Sequence, residues 1–199
     1  MPRRSRSTSE HPSGLSVLLQ TMALALLLGG GADADAKPFP AFALENYDGR
    51  PFSNASFAGK TTIVIPTYAK CIFACPMITF FLTELDRELG SPANIQYAHV
   101  SVQPTEDTAD EILEHFKDHG IDTEHDSRWL FINGPEEEVL TFLTDTDVHV
   151  KRTQVEDGVL IEHTIRLFVV GPHGETLAKF DTYFWDREEM LHALRHAIE

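Results

Sequence analysis

Apolar residues recur with two different periods along the chain after Lys37, and the two periods alternate. Apolar residues three to four positions apart predict amphipathic helices, and short runs of β-branched and apolar residues predict strands. The predicted elements are a strand or hairpin around Phe42–Phe52, a strand Thr62–Pro66, a helix Pro76–Leu89, a strand Ile95–Val102, a helix Glu106–Gly120, a strand Trp129–Ile132, a helix from Gly134-Pro135 to about Leu143, a strand Thr164–Val170, its antiparallel partner Thr176–Asp181 and a closing helix Asp186–Ile198. Elements in this order predict an α/β domain.

The order of these elements narrows the fold class. A strand, helix and strand unit is followed by an antiparallel strand pair and a final helix, which is the order of a thioredoxin-like core. We therefore expect a thioredoxin-like α/β fold, with a central mixed β-sheet flanked by helices, over residues 37–199. Because 199 residues suffice for one ordinary hydrophobic core and are few for two, we expect one domain.

Two segments carry more specific expectations. The first predicted helix has one apolar stripe, and a stripe of this kind normally faces the core. Its members are Met77, Phe80, Phe81, Leu85 and Leu89. We expect this stripe to lie in the core rather than to form a metal–thioether site, with a position of Met77 beside the metal as the alternative. The segment Thr144–Glu162 is long and polar, so we expect a surface loop or an irregular excursion there.

The first 36 residues have the three-part layout of a secretory signal peptide. The parts are the basic residues Arg3, Arg4 and Arg6, the apolar stretch Leu15–Leu28, and Gly29–Gly31 with small-x-small triplets ending at Ala34 and Ala36. The apolar stretch falls short of the roughly 20 residues that span a bilayer, which favours a cleaved signal peptide over an uncleaved membrane anchor. We expect export to a periplasmic location, with membrane contact only through residues 1–36 if they stay uncleaved.

The charge balance excludes one class of partner. The chain has 16 Lys and Arg against 31 Asp and Glu, a formal net charge of −15. Because nucleic-acid binding needs clustered positive charge, we expect no nucleic-acid partner. A negative field attracts cations and basic protein patches, although such acidity is also common in proteins that are merely soluble.

The chain contains two cysteines, Cys71 and Cys75, between the strand Thr62–Pro66 and the helix that follows it. The positive end of a helix stabilises a thiolate and Lys70 adds to the effect, so we expect both sulfurs to lose their protons easily. Side chains four residues apart on a helical turn can share a metal ion or close into a disulfide. The spacing alone leaves both open, although a disulfide across so short a loop stabilises little.

His163 is the third candidate residue. It lies at the junction of the polar segment and the strand Thr164–Val170, which in a thioredoxin-like sheet is the edge of the active-site face. Two thiolates and one imidazole form a soft donor set that suits Cu(I) and also accepts Cu(II), whereas zinc usually requires a fourth ligand. A histidine of this kind alone would be an ordinary polar residue, and its pairing with Cys71 and Cys75 makes it a candidate ligand.

Several motifs together resemble those of the Sco/SenC family. They are the CxxxCP motif Cys71–Pro76, His163-Thr164 before an apolar strand, Gly171–Glu175, Ser101–Pro104 with Asp107-Thr108, and Trp129–Phe131 with Gly134-Pro135. The resemblance covers about Phe39 to Glu199. It implies a thioredoxin fold with copper held by Cys71, Cys75 and His163. It also implies delivery of copper to a receiving protein, such as the subunit with the CuA site of cytochrome c oxidase, or reduction of that site's cysteines.

The chain departs from the family pattern around the ligands. The family commonly has Pro-Asp-Val between the cysteines and often Thr two residues before the first, and this chain has Ile72-Phe73-Ala74 and Ala69. The family's frequent Asp before the histidine is Glu162 here, which keeps the charge and can orient the imidazole. Because Phe73 makes the loop more apolar, we expect partner choice or redox behaviour to differ from that of typical members.

Other functions use the same residues. A thiol–disulfide oxidoreductase with Cys71 and Cys75 as catalytic residues is the main alternative, although CxxC is the usual spacing for that chemistry. A peroxidase of the peroxiredoxin type is disfavoured, because that class places Thr three residues before its cysteine and this chain has Tyr68 there.

Two histidine pairs have the i, i+4 spacing of helical metal ligands. They are His115 with His119 and His192 with His196. Because no thiol or acidic third ligand accompanies either pair, we expect surface histidines on solvent-facing helices.

Overall fold

The computed structural model describes residues 37–156 and 158–198, so the predicted signal peptide lies outside the described residues. The strands are β1 (Ala43–Asn46), β2 (Pro51–Ser53), β3 (Thr61–Thr67), β4 (Ile95–Ser101), β5 (Trp129–Asn133), β6 (Val150–Val155), β7 (Gly158–His163), β8 (Leu167–Val170) and β9 (Thr176–Phe180). The helices are α1 (Ala74–Glu88), α2 (Ala109–Asp118), α3 (Glu136–Asp145) and α4 (Arg187–Ile198), with a 3-10 turn at Asn54–Phe57. None of these helices is both long and apolar enough to cross a bilayer.

The described strands form a central mixed sheet and a separate hairpin. The sheet order is β2-β1-β5-β4-β3-β8-β9, with β3, β4 and β5 parallel and the outer pairs antiparallel. Side chains alternate across β3, so Ile63 and Ile65 join the core under α1, α2 and α4, and Val64 joins the core under α3. This arrangement confirms the predicted α/β fold with a central mixed sheet flanked by helices.

Helix α1 has two apolar faces, and the sheet covers only one of them. The buried apolar side chains of α1 include Ile78, Leu82 and Leu85. Phe80 and Phe81 are 53% and 38% exposed, so the prediction that the whole aromatic stripe faces the core was wrong. Apolar residues on both faces of α1 have helical spacing, so the spacing does not indicate which face is buried. Packing against the sheet determines which face joins the core.

The polar segment Thr144–Glu162 also differs from its prediction. Its first two residues are the last two of α3, and it then forms most of the antiparallel hairpin of β6 and β7. In this hairpin Val150 lies opposite His163. Most side chains on this hairpin are half-buried or exposed, so the sequence lacks the alternation that marks a half-buried strand. His163 therefore ends a hairpin strand, and the next sheet strand, β8, begins only at Leu167.

A pair of buried histidines lies between β4 and α2. His115 was expected at the surface and is buried, and it adjoins the fully buried His99 of β4, with ring centroids 6.4 Å apart. Neither ring nitrogen of His99 has a hydrogen-bond partner among the described residues. Burial lowers the pKa of both imidazoles, that of His115 to about 4. His192 is exposed as expected.

Candidate metal centre

The two cysteines lie at the carboxyl end of β3 and the start of α1. β3 ends at Thr67, and the Cys71 backbone N–H donates to the Tyr68 carbonyl (3.2 Å) in the connecting turn. α1 begins at Ala74, two residues earlier than predicted, so Cys75 lies in its first turn. Both sulfurs are largely buried and unbridged. The turn thus places two free thiol groups at the amino end of a helix.

The two thiols have opposite proton affinities. The Cys75 thiol donates a hydrogen bond to the Cys71 sulfur, and the backbone N–H groups of Cys75 (3.3 Å) and Phe73 add to it. The Cys75 thiol has the largest effect, and together with the backbone donors and the Tyr68 hydroxyl it lowers the pKa of Cys71 to about 5. Burial acts in the opposite direction and raises this pKa. The same hydrogen bond, burial and the Cys71 charge raise the pKa of Cys75. The expectation that both thiols deprotonate easily was therefore right for Cys71 and wrong for Cys75.

Lys70 does not act on Cys71 in the way its sequence position suggests. Its ammonium group is exposed and pairs with the Glu111 carboxylate at 2.9 Å. The leading influences on the pKa of Cys71 are hydrogen-bond donors and burial, and Lys70 is not one of them. The thiolate is thus stabilised by the geometry of the turn rather than by a neighbouring cation.

His163 presents a neutral imidazole at the end of β7. Its Nδ1 lies 3.0 Å from the Thr164 carbonyl oxygen, which can only accept, so Nδ1 carries the proton and Nε2 has a free lone pair. Burial lowers the pKa of His163. Glu162 instead pairs with Lys151 across the hairpin (3.2 Å), so the carbonyl of Thr164, rather than the predicted carboxylate, orients the ring.

Tyr68 connects the histidine to the cysteines. Its backbone carbonyl accepts the Cys71 N–H (3.2 Å), and its hydroxyl is one of the groups that lower the pKa of Cys71. Its ring meets the His163 ring edge-on, with centroids 6.0 Å apart and an interplanar angle of 79°. Tyr68 therefore adjoins both the cysteine turn and His163, although its sequence position indicates only a mismatch to peroxidases. A tyrosine three residues before the first cysteine was the available signal.

The three candidate ligands do not yet converge on one point. Within the described ranges, the trio whose donor atoms all lie within 4.8 Å of one another is Asp122, Glu124 and His125. That trio is exposed, and His125 and Asp122 already pair with each other at 2.8 Å, so it does not indicate a metal site. A metal ion at Cys71 and Cys75 would require His163 to move towards the sulfurs.

A polar contact one turn after Cys75 joins α1 to α2. The Thr79 hydroxyl donates to the Cys75 carbonyl (2.9 Å) and lies 3.0 Å from His115 Nε2. Since that hydroxyl proton is used, His115 Nε2–H is the donor in the second contact. This contact ties the first turn of α1 to α2, and a threonine four residues after Cys75 was its only sequence signal.

Comparison with known proteins identifies the family. The model of the SCO1/SenC family matches residues 31–199. The chain therefore belongs to the SCO1/SenC family. Protein SCO2, mitochondrial, of Saccharomyces cerevisiae is 22% identical over 165 residues, which cover 79% of this chain and 52% of that protein. The chain thus spans about half of the length of that relative.

A second curated relative and a solved structure are also similar to this chain. The SCO1 protein homolog of Bacillus subtilis is 24% identical over 143 residues, 70% of this chain and 72% of that protein. The structure of Bradyrhizobium japonicum ScoI with copper bound has a TM-score of 0.67 and 21% identity, over 81% of this chain and 99% of that one. The predicted family and thioredoxin-like fold are confirmed.

Proposed function

We propose that this chain is a copper-binding metallochaperone of the SCO1/SenC type, with Cys71, Cys75 and His163 as the copper ligands. The observation that carries the proposal is one cluster that contains a thiolate, an adjoining thiol and a neutral imidazole with its Nε2 lone pair free. Tyr68 touches both halves of that cluster. The copper bound by the B. japonicum relative supports the same cargo here.

The donor chemistry fits copper. Sulfur and imidazole donors suit Cu(I), and the same set also accepts Cu(II). Cys71 is a thiolate at neutral pH because its pKa is about 5, and Cys75 would give up its proton when the metal binds. His163 is neutral because burial lowers its pKa, so no proton competes with the metal at Nε2. In this proposal His163 moves towards the sulfurs as copper binds.

A competition titration tests the ligand set. Reduced protein is titrated with Cu(I) in the presence of bicinchoninate, and we expect one equivalent to bind. His163→Ala is expected to lower the affinity at least about tenfold, because metal affinity falls by such factors even when a supporting group is lost. His149→Ala is the matched control, since His149 is exposed next to the same end of the hairpin. Absence of stoichiometric binding, or equal affinities for the two variants, contradicts the proposal.

The cysteine turn is also suited to meeting a copper-receiving protein. Ile72 and Phe73 are 95% and 64% exposed beside Cys71. Phe73 continues into an aromatic surface whose other members are Phe80, Phe81, Tyr183, Phe184 and Trp185. Exposed apolar patches of this kind mark protein contacts, and a net charge of −15 favours a partner with basic residues. We propose a receiving protein of the CuA type, as in cytochrome c oxidase.

Copper transfer tests delivery separately from binding. Phe73→Ser in the loaded protein is expected to slow transfer to an apo CuA domain at least about tenfold, because a central aromatic contact at an interface contributes about 2 kcal/mol. Transfer to bicinchoninate should keep its rate, since a small chelator needs no docking surface. Leu140→Ser, an exposed apolar residue on α3, is the matched control. Equal rates of transfer to the CuA domain for Phe73→Ser and wild type contradict the docking role.

The same site favours a second candidate, thiol–disulfide exchange. A low-pKa thiol beside a buried thiol of raised pKa matches an attacking and a resolving cysteine. In this reaction Cys71 would attack a partner's disulfide and Cys75 would then release the partner. A mixed disulfide trapped on Cys71 in the Cys75→Ser variant checks this candidate.

The proposed place of action is outside the cytoplasm. It rests on the basic, apolar and small-residue pattern of residues 1–36, which is the pattern of an export signal. N-terminal sequencing of protein recovered from the periplasm checks it, and a start near Lys37 is the expected result.

A further inference from the structure

A carboxylate from the connection between β4 and α2 reaches the backbone of the cysteine turn. Asp107 lies directly before Thr108, the residue that caps the start of α2. Asp107 Oδ1 accepts the backbone N–H of Ala69 at 2.9 Å, across 38 positions of the sequence. Ala69 is close in sequence to Cys71 and belongs to the same turn after β3. The contact therefore joins the start of α2 to the turn that carries the first candidate ligand.

The second oxygen of the same carboxylate is held at the end of β4. The Ser101 hydroxyl donates to Asp107 Oδ2 at 2.5 Å, and Ser101 is fully buried. Ser101 lies opposite Thr67, the last residue of β3, in the parallel pairing of the two strands. Because a carboxylate accepts at both oxygens, one side chain holds a donor that follows β3 and a donor that ends β4.

Hydrogen bonds on both sides of Asp107 hold its backbone in place. Its own N–H donates to the Gln103 carbonyl (3.0 Å), and the Gln103 N–H donates to the Ser101 hydroxyl oxygen (3.0 Å). The residues that follow form a reciprocal capping box at the start of α2. A neighbouring ion pair between Lys70 and Glu111 (2.9 Å) is largely exposed, and such pairs contribute little to stability. Asp107 is thus the firmer of these two contacts between the cysteine turn and α2.

We propose that Asp107 is a positioning residue of the copper site: its carboxylate fixes the backbone at Ala69 and thereby the place from which Cys71 meets the metal. The proposal rests on the proposed function and deepens it, since it names a further residue on which copper affinity depends. Without this acceptor, the N–H of the half-buried Ala69 would have to turn towards water, and Cys71 would move with it.

Two substitutions separate the geometry of this side chain from its charge. Asp107→Asn removes the charge and keeps the shape, because the amide oxygen can accept from Ala69 and the amide nitrogen can donate to the Ser101 oxygen. Asp107→Glu keeps the charge and displaces the carboxylate by one methylene group. The longer side chain has room, since Asp107 lines a cleft of about 250 Å³ beside Tyr47 and Asn133.

The first measurement is amide hydrogen exchange in the metal-free protein, followed by NMR. In Asp107→Glu the Ala69 amide is expected to exchange at least about tenfold faster than in wild type, and in Asp107→Asn it should stay within about threefold. An unchanged Ala69 rate in Asp107→Glu would overturn the proposed contact. This measurement needs no copper, so it is independent of the copper titration of the proposed function.

The second measurement is the Cu(I) titration against bicinchoninate. Asp107→Glu is expected to bind about tenfold more weakly than wild type, a loss at the lower end of that seen when a group that orients a metal ligand is removed. Asp107→Asn should stay within about threefold of wild type, because it keeps both hydrogen bonds. Asp110→Glu and Asp110→Asn are the matched controls, since Asp110 is exposed in the first turn of the same helix, and both should keep the wild-type affinity.

The outcomes distinguish this role from its alternatives. Wild-type affinity in Asp107→Glu overturns the positioning role, and so does an affinity of Asp107→Asn as low as that of Asp107→Glu, because the charge would then be what matters. A purely structural role lowers the melting temperature but leaves the affinity of the fully folded protein unchanged. Wild-type protein that binds no copper contradicts the proposed function itself, whereas faster Ala69 exchange with unchanged affinity contradicts only the role of Asp107.

Discussion

Cys71→Ser and Cys75→Ser are each expected to lower the Cu(I) affinity of the reduced protein by at least about 100-fold. Each change replaces a soft sulfur donor with a hydroxyl oxygen, which is a poor ligand for Cu(I). The loss should exceed the effect of removing a supporting group, which is typically 10–100-fold. The measurement is the same competition titration with bicinchoninate. Binding as tight as wild type in Cys71→Ser would show that copper binds elsewhere on the chain.

The same two variants separate the copper proposal from thiol exchange. In Cys75→Ser a hydroxyl can still donate to the Cys71 sulfur, so Cys71 remains reactive near pH 7. In Cys71→Ser the remaining Cys75 is almost fully buried, so it should react at least about 100-fold more slowly with a disulfide reagent. Mass spectrometry after exposure to glutathione disulfide measures both rates. A partner protein trapped on Cys71, in a chain that binds no copper, would favour the oxidoreductase.

The position of the cysteine site could be predicted, but its electrostatics could not. A CxxxCP motif between a buried strand and a helix fixes Cys75 in the first turn of α1. The difference between the two thiols depends on which sulfur receives the hydrogen bonds of Cys75, Phe73 and Tyr68. That choice is made by the shape of the turn, and the spacing of two cysteines contains no information on it.

Packing decides the features for which the sequence prediction failed. The sequence of the β6–β7 hairpin shows little alternation of apolar and polar residues, because most of its side chains remain in contact with water. Its ion pair between Arg152 and Glu106 joins residues 46 positions apart, so local sequence does not predict it. His115 was assigned to the surface because histidine is usually polar and exposed. On α2 it adjoins the buried Phe116 and lies against His99 of β4, so tertiary contact overrides residue type.

The buried histidines predict a steep loss of stability in mild acid. Burial lowers the pKa of His115 from 6.5 to about 4 and that of His99 well below 6.5. Below pH 6.5 the unfolded chain therefore binds protons that the folded chain does not, so the free energy of unfolding falls as the pH falls. For His115 alone the difference of about 2.5 pKa units corresponds to about 3 kcal/mol, lost progressively between about pH 6.5 and pH 4.

His99→Phe tests how much the protonation of one of these histidines contributes to the pH dependence of stability. His99 packs on Phe116 and Trp129 with ring centroids 5.1 and 6.0 Å away, and neither of its ring nitrogens has a partner among the described residues. A phenyl ring keeps the packing and cannot bind a proton, so the slope of unfolding free energy against pH, between pH 6 and pH 5, should fall by about 1.4 kcal/mol per pH unit. Urea unfolding at several pH values measures this slope. His173→Phe, at an exposed position, should keep the wild-type slope, and an unchanged slope in His99→Phe would show that His99 is already protonated in the folded protein.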